Sequence, residues 1–259
     1  MKLSVRGQLT RRADVLFGLV GLGLLAALWC FLTYGGHVRK IFLPTPTGIW
    51  EGLVDYDKRD WLWPSIGRSF LRVSKALALV ILVGVPVGVL MGAIKPLNAL
   101  LQRIVSGAKS VPTTAITGVV VLWFGLGEVG KVVFLFLGAI FFMIILVRDA
   151  VTRVPDAYVR VALDLGATRS QMIFRVLLPW ALPRIWEAII VCNGIMWTYI
   201  VLAEFISSSQ EQLGLGYLLW IGSRTQDPGK VFAMLIVIAM ISVLTDYALQ
   251  LVRRRFLDW

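Results

Sequence analysis

Six long apolar runs constrain the fold of this chain more than any other feature of the sequence. Five of them contain no charged side chain, and the sixth contains only Asp246. The runs cover residues 15–34, 76–94, 111–127, 132–147, 188–203 and 231–252. At about 1.5 Å per helical residue, the first is long enough to cross a hydrocarbon core roughly 30 Å thick. Because a helix satisfies its own backbone in lipid, the sequence predicts an all-α integral membrane protein with six transmembrane helices in one domain, residues 1–259.

The composition supports a membrane protein over a soluble one. The chain is 58% hydrophobic, whereas soluble domains are nearer 45–50%. Its 26 basic residues outnumber 15 acidic ones, for a net charge of +11. In a soluble protein this excess would suggest nucleic-acid binding, but in a membrane protein basic residues set the orientation. We therefore expect membrane lipid as a partner and no nucleic acid, and the charge does not indicate an anionic substrate.

The arrangement of the basic residues predicts the topology. A cleaved signal peptide is an alternative for the N-terminus, but the run at 15–34 exceeds the 7–15 residues of a signal h-region, so we expect a retained first span. Six spans place both termini on one side, and most of the basic residues lie on that side. The positive-inside rule then predicts a cytoplasmic N-terminus and C-terminus. Residues 154–183 would also be cytoplasmic.

The segment 154–183 is the long polar-interrupted stretch of the second half. Residues 156–165 contain no Gly or Pro and carry apolar residues at helical spacing, which predicts a short helix. Gly166 then fits a left-handed C-cap. Residues 170–178 predict a second short helix, which Pro179 is expected to stop.

This pattern resembles the EAA loop found in the membrane subunits of ABC importers. The consensus of that loop is E-A-A, then any three residues, then G, then any nine residues, and finally I-x-L-P. Gly166 takes the glycine position, and Val176-Leu177-Leu178-Pro179 stands for I-x-L-P. Arg160-Val161-Ala162 lies where E-A-A would be, so Arg160 and Val161 depart from the pattern. The alternative is an ordinary helical hairpin between two spans. The resemblance implies that an ATPase is contacted by Arg160, Ala162, Leu163, Leu165, Gly166, Ala167, Ile173 and Pro179.

Over residues 43–259 the chain is similar to permeases of the nitrate, sulfonate, taurine and bicarbonate group. The similarity rests on short stretches in matching order, among them Leu43-Pro44-Thr45-Pro46, Leu122-Trp123-Phe124-Gly125, Ala203-Glu204 and Gly214-Leu215-Gly216-Tyr217. It implies a type I importer (MetI-like) fold and a homodimer in the bacterial inner membrane. It also implies two ABC ATPase subunits and a periplasmic or lipid-anchored substrate-binding protein. The permease itself would be non-catalytic, with no cofactor of its own, because ATP and Mg²⁺ bind the partner ATPase.

One motif suggests a competing function. The stretch from Gly125 to Lys131 matches G-x-G-x-x-G and approaches the Walker A pattern, but Val132 replaces the Ser or Thr that binds Mg²⁺, and apolar runs flank it. We expect a tight connection between two spans instead. The sequence shows no catalytic constellation and no His or Cys cluster for a metal. An ATP-independent secondary transporter or channel remains the alternative function, and an exporter would lack the glycine-cornered loop.

Polar side chains within the spans are candidates for the translocation path or its supporting network. They are costly in lipid and usually face a cavity or one another. Packing between helices is the alternative for each of them, since Thr and Asn often hydrogen-bond across helices. The candidates are Thr113, Thr114, Thr117, Asn193, Thr198 and Glu204.

Overall fold

The computed structural model describes residues 10–205 and 213–256, and nearly all of them are helical. The eleven helices of this described part are α1 (Arg11–Tyr34), α2 (Pro46–Lys58), α3 (Leu62–Ala93), α4 (Lys95–Lys109), α5 (Thr113–Phe124), α6 (Glu128–Thr152), α7 (Asp156–Asp164), α8 (Arg169–Gln171), α9 (Leu178–Phe205), α10 (Leu215–Arg224) and α11 (Pro228–Phe256). A π-helical turn, Met172–Leu177, joins α8 to α9. The predicted all-α membrane fold is confirmed.

Five helices are individually long and apolar enough to cross a membrane within the described residues. They are α1, α3, α6, the continuous helix Arg169–Phe205, and α11. The predicted span at 111–127 is shorter than expected, because α5 has 12 residues and reaches only about 18 Å. It forms a sixth span only together with α4, and the two helices are bent by 95° at the break between them.

The second span begins earlier than the apolar run at 76–94 predicts. Helix α3 starts at Leu62, so Arg72 and Lys75 lie within the helix and not in a connecting segment. Arg72 is only 2% exposed. A buried guanidinium is tolerated there because carboxylates from α6 and α9 neutralise it.

Helices α3 and α6 pack closely because glycines form one face of α3. A methyl group added to Gly84, Gly88 or Gly92 would come within 2.7 Å of an α6 side chain. The α6 side chains that meet these glycines are, in the same order, Met143, Val147 and Val151. Small residues at four-residue spacing let two membrane helices approach closely, which explains the tight contact between α3 and α6.

Helix α2 is held against the start of α11. A methyl group on Gly52 would lie 2.8 Å from the backbone nitrogen of Lys230, and the Lys230 ammonium lies 2.8 Å from the Asp55 carboxylate. This hydrogen bond lowers the pKa of Asp55 below its usual value. Tyr56 is buried and donates its hydroxyl to the Leu218 carbonyl at 2.7 Å. Helix α2 is therefore packed on α10 and α11.

The prediction that Pro179 stops the second short helix is wrong. The helix that begins at Arg169 continues to Phe205. Proline lacks an N–H and its ring crowds the carbonyl four residues earlier. Here the wider π-helical turn Met172–Leu177 ends two residues before the proline, and such a turn changes the hydrogen-bond spacing near the position where the proline cannot donate.

Candidate functional site

The segment between α6 and α9, which we call the hairpin (residues 154–183), turns at a glycine. Gly166 has φ +77°, the left-handed region that side chains disfavour. Its N–H donates to the Leu163 carbonyl, and the N–H of Ala167 donates to the Ala162 carbonyl, both at 2.9 Å. This pair of bonds is a Schellman motif, which ends a helix and reverses the chain. The predicted glycine corner is confirmed.

The helix after the corner starts with a capping box, which was not predicted. The Thr168 hydroxyl accepts a hydrogen bond from the Gln171 backbone at 3.3 Å, and the Gln171 side chain accepts one from the Thr168 backbone at 2.8 Å. The signal is visible in the sequence as Thr-x-x-Gln. Both sides of the corner are therefore fixed by local hydrogen bonds.

The hairpin presents apolar side chains at its surface. Leu163 and Leu165 are 57% and 83% exposed. By contrast, Ala162 and Ile173 are partly buried against the core. Phe174, which was not among the predicted contact residues, is 65% exposed. The exposed apolar surface of the hairpin therefore includes Phe174 in place of the predicted Ile173.

Charged and polar groups surround this apolar surface. Of the other predicted contact residues beside the corner, Arg160 and Pro179 are exposed and Ala167 is partly exposed. Asp156 and Asp164 are exposed as well. An apolar patch with a charged rim is the usual anatomy of a protein interface.

A second group of charged and polar side chains, which we call the Arg72 cluster, lies at the other end of α6 and α9. It consists of Arg72, Glu128, Lys131, Glu204 and Ser69. The Arg72 guanidinium donates through Nε to Glu128 Oε2 at 2.7 Å and through Nη1 to Glu204 Oε1 at 2.6 Å. A further bond joins Nη2 to Glu128 Oε1, so the contact with Glu128 is bidentate. One side chain of α3 thereby joins the start of α6 to the end of α9.

The start of α10 closes over the Glu204 carboxylate. Glu204 is 0% exposed, and it accepts hydrogen bonds from Ser69 Oγ at 2.7 Å and from the Gly216 N–H at 2.8 Å. A methyl group on Gly214 would lie 2.5 Å from both Arg72 and Glu204. The first N–H groups of a helix favour an anion. The glycines of Gly214-Leu215-Gly216 are thus explained by the close approach of their backbone to the buried Arg72–Glu204 ion pair.

Lys131 completes the cluster and lines a small cavity. Its ammonium lies 3.5 Å from Glu128 Oε1, and its side chain is 3% exposed. The cavity, about 20 Å³, is also lined by Thr117, Gly125 and Ala203. Gly125 has φ +71° and ends α5. The Gly125 to Lys131 motif is therefore a tight connection between two helices, as expected, and its lysine faces a carboxylate.

The structure places two of the predicted path residues in buried networks. Glu204 belongs to the Arg72 cluster. Asn193 is 3% exposed and donates through Nδ2 to Thr245 Oγ1 at 2.9 Å and to Asp246 Oδ1 at 2.8 Å. These bonds join α9 to α11, so both residues support the contacts between helices.

The four predicted threonines are more accessible. Thr198 is exposed, and its hydroxyl donates a hydrogen bond to the Gly194 carbonyl at 3.1 Å. On α5, Thr114 is exposed, while Thr113 and Thr117 are partly buried. The Thr117 hydroxyl oxygen itself is buried without a hydrogen-bond partner in the described part of the chain. The threonines therefore remain candidates for the path, and Thr117 adjoins the Arg72 cluster.

Comparison with known proteins identifies the family. The sequence profile of the family described as "Binding-protein-dependent transport system inner membrane component" matches residues 84–258, more than half of the 259-residue chain. The chain belongs to this family. The matched range includes the hairpin and three residues of the Arg72 cluster, Glu128, Lys131 and Glu204, while Ser69 and Arg72 precede it.

Curated relatives extend the similarity over the whole permease. It is 29% identical to the taurine transport system permease protein TauC of Escherichia coli K12, over 100% of this chain and 94% of the relative. It is 31% identical to the putative aliphatic sulfonates transport permease protein SsuC of Bacillus subtilis 168, covering 93% of this chain and 87% of that one.

A solved structure supports the fold. The MetNI methionine ABC transporter, in an inward-facing conformation, contains a chain that matches this permease with a TM-score of 0.65. The match has 21% identity and covers 77% of this chain and 97% of that one. At this identity the likeness shows the fold, which is the predicted type I importer fold.

Proposed function

We propose that this permease is the membrane-spanning subunit of an ATP-driven importer of small solutes of the taurine, sulfonate or bicarbonate kind. The main support is the hairpin, whose glycine corner holds an exposed apolar surface at the end of two membrane-crossing helices. A surface of this kind suits a groove on an ATPase. The names of the curated relatives support the solute class.

The mechanism follows from how the hairpin is attached. Two ATPases, which bind ATP and Mg²⁺, would draw together and carry the hairpins with them. Each hairpin continues into α6 on one side and α9 on the other, so its displacement reorients both helices. Rigid-body motion of this type opens a path alternately to the two sides of a membrane. A second copy of the permease completes the path, and a substrate-binding protein delivers the solute.

Uptake into proteoliposomes tests this function. Vesicles are prepared with the permease alone, with its ATPase, and with ATPase and binding protein, and uptake of radiolabelled taurine, ethanesulfonate and bicarbonate is measured. We expect uptake of at least one solute with all three proteins and ATP, and none when the ATPase is omitted. Uptake by the permease alone would instead establish an ATP-independent transporter or channel.

The orientation is tested separately. With the N-terminus and C-terminus in the cytoplasm, a reporter inserted at Gly166 should lie on the cytoplasmic side, and one inserted at Asp57, in α2, should lie on the opposite side. Paired alkaline phosphatase and green fluorescent protein fusions give opposite signals at the two positions. A phosphatase-active fusion at Gly166 would contradict the proposed docking of the hairpin on an ATPase.

A further inference from the structure

Two buried cations in the Arg72 cluster share one accessible carboxylate. The side chains of Arg72 and Lys131 are 2% and 3% exposed, whereas that of Glu128 is 56% exposed. Both cations contact the same oxygen, Glu128 Oε1. The two cations therefore lie below the protein surface, and the Glu128 carboxylate lies between them and the solvent.

The other carboxylate of the cluster has a different role. Glu204 is fully buried and is held by Ser69, Gly216 and Arg72. It neutralises one of the two cations permanently. Lys131 also contacts Glu128, which stands on the first turn of α6 and is accessible enough to rotate its side chain into solvent.

The surroundings offer further polar contacts to an anion. The cavity lined by Lys131 and Thr117 borders the cluster, and the buried Thr117 hydroxyl oxygen has no partner among the described residues. A cavity of about 20 Å³ holds one water-sized group. A larger group fits only when the Glu128 side chain moves away.

We propose that Arg72 and Lys131 form an anion subsite in which Glu128 occupies the place of the substrate's sulfonate or carboxylate group, and that an anionic substrate displaces Glu128 in passing. This inference rests on the proposed function, since it concerns the solute in the path. A guanidinium binds planar or tetrahedral oxyanions by donating two parallel hydrogen bonds, the same geometry that it shows here toward Glu128.

A resident carboxylate makes the subsite suitable for transport. A solute in a translocation path must bind well enough to enter and weakly enough to leave. Exchange of one oxyanion for another leaves the charge of the cluster unchanged, so neither step requires an uncompensated cation in the protein interior. Thr117 lines the same cavity as Lys131 and would add a hydroxyl group to the surroundings of the bound anion.

Binding of trifluoromethanesulfonate tests the subsite. The probe's ¹⁹F line width is titrated against the permease–ATPase complex in nanodiscs, without binding protein, and uncharged trifluoroethanol serves as the neutral probe. The wild type should broaden the anion's signal saturably. Glu128→Gln, which removes the competing charge, should lower the Kd about tenfold, and Lys131→Gln should raise it about tenfold.

The matched control is Lys75→Gln, because Lys75 is an exposed lysine on the same helix as Arg72 and should leave binding unchanged. If Glu128→Gln does not assemble, Glu128→Asp, whose shorter side chain reaches the cations poorly, should tighten binding in its place. Absence of saturable binding by the wild type, or unchanged binding by both Glu128 variants, overturns the subsite. If either result is obtained while the ATPases are still bound to the permease, the proposed function is unaffected.

Discussion

A Gly166→Val variant should reach the membrane at a near-normal level and yet fail to retain the ATPase. Nothing lies within 4 Å of a Cβ at this position, so the added side chain meets no obstacle. The cost comes from φ +77°, which disfavours a Cβ by about 1–2 kcal/mol. If the chain relieves that strain by changing the angle between α7 and α8, Leu165 moves relative to Phe174 on the exposed apolar surface of the hairpin.

Retention is measured by pull-down of the ATPase with the epitope-tagged permease, and transport in the same cells. Gly107→Val is the matched control, because Gly107 also has open space around a Cβ but an ordinary helical backbone. Gly166→Asn should be intermediate, since Asn tolerates the left-handed region better than Val. Arg160→Glu keeps the corner and should be milder than Gly166→Val. Full retention by Gly166→Val would show that the hairpin is only a connection.

Replacing Arg72 with Met should destabilise the folded permease strongly. The Glu204 carboxylate would stay fully buried with only two hydrogen-bond donors, Ser69 and Gly216. Removing one partner of a buried ion pair costs about 3–5 kcal/mol. The purified variant should show a much lower melting temperature and a low yield of monodisperse protein in detergent.

Two further variants separate charge from packing. Lys75→Met removes a positive charge from an exposed position of the same helix and should melt like the wild type. Arg72→Met combined with Glu204→Gln removes both charges of the buried Arg72–Glu204 pair and should recover part of the lost stability. Equal melting temperatures for Arg72→Met and the wild type would mean that the cluster does not hold the helices together.

Hydropathy predicted the membrane character and most of the span positions because long apolar runs have few other solutions. The Gly166 corner was predictable for a local reason, since a glycine after a short amphipathic helix commonly adopts the left-handed conformation. The close contact between α3 and α6 likewise follows from a local pattern, glycines at four-residue spacing. These features depend on residues close together in the sequence.

The Arg72 cluster was not predictable by the same means. Arg72 lies 56 residues from Glu128 and 132 from Glu204, so no spacing rule connects them, and a charged residue next to an apolar run is normally assigned outside the membrane. Glu204 was predicted to belong to the translocation path or its supporting network, but the sequence did not identify Arg72 as its partner. Pro179 misled the prediction because the π-helical turn before it is a property of the folded chain.

The positions of the two glutamates have a mechanical consequence. Helices α6 and α9 are linked covalently through the hairpin at one end, and at the other end Glu128 and Glu204 are clamped by a single guanidinium. The two helices are thus the long sides of a closed frame about 38 Å in length, from 25 residues of α6 at 1.5 Å each. While Glu128 remains bound to Arg72, this second link restrains sliding of α6 past α9, so we expect a tilt imposed at Gly166 to carry α3 with it.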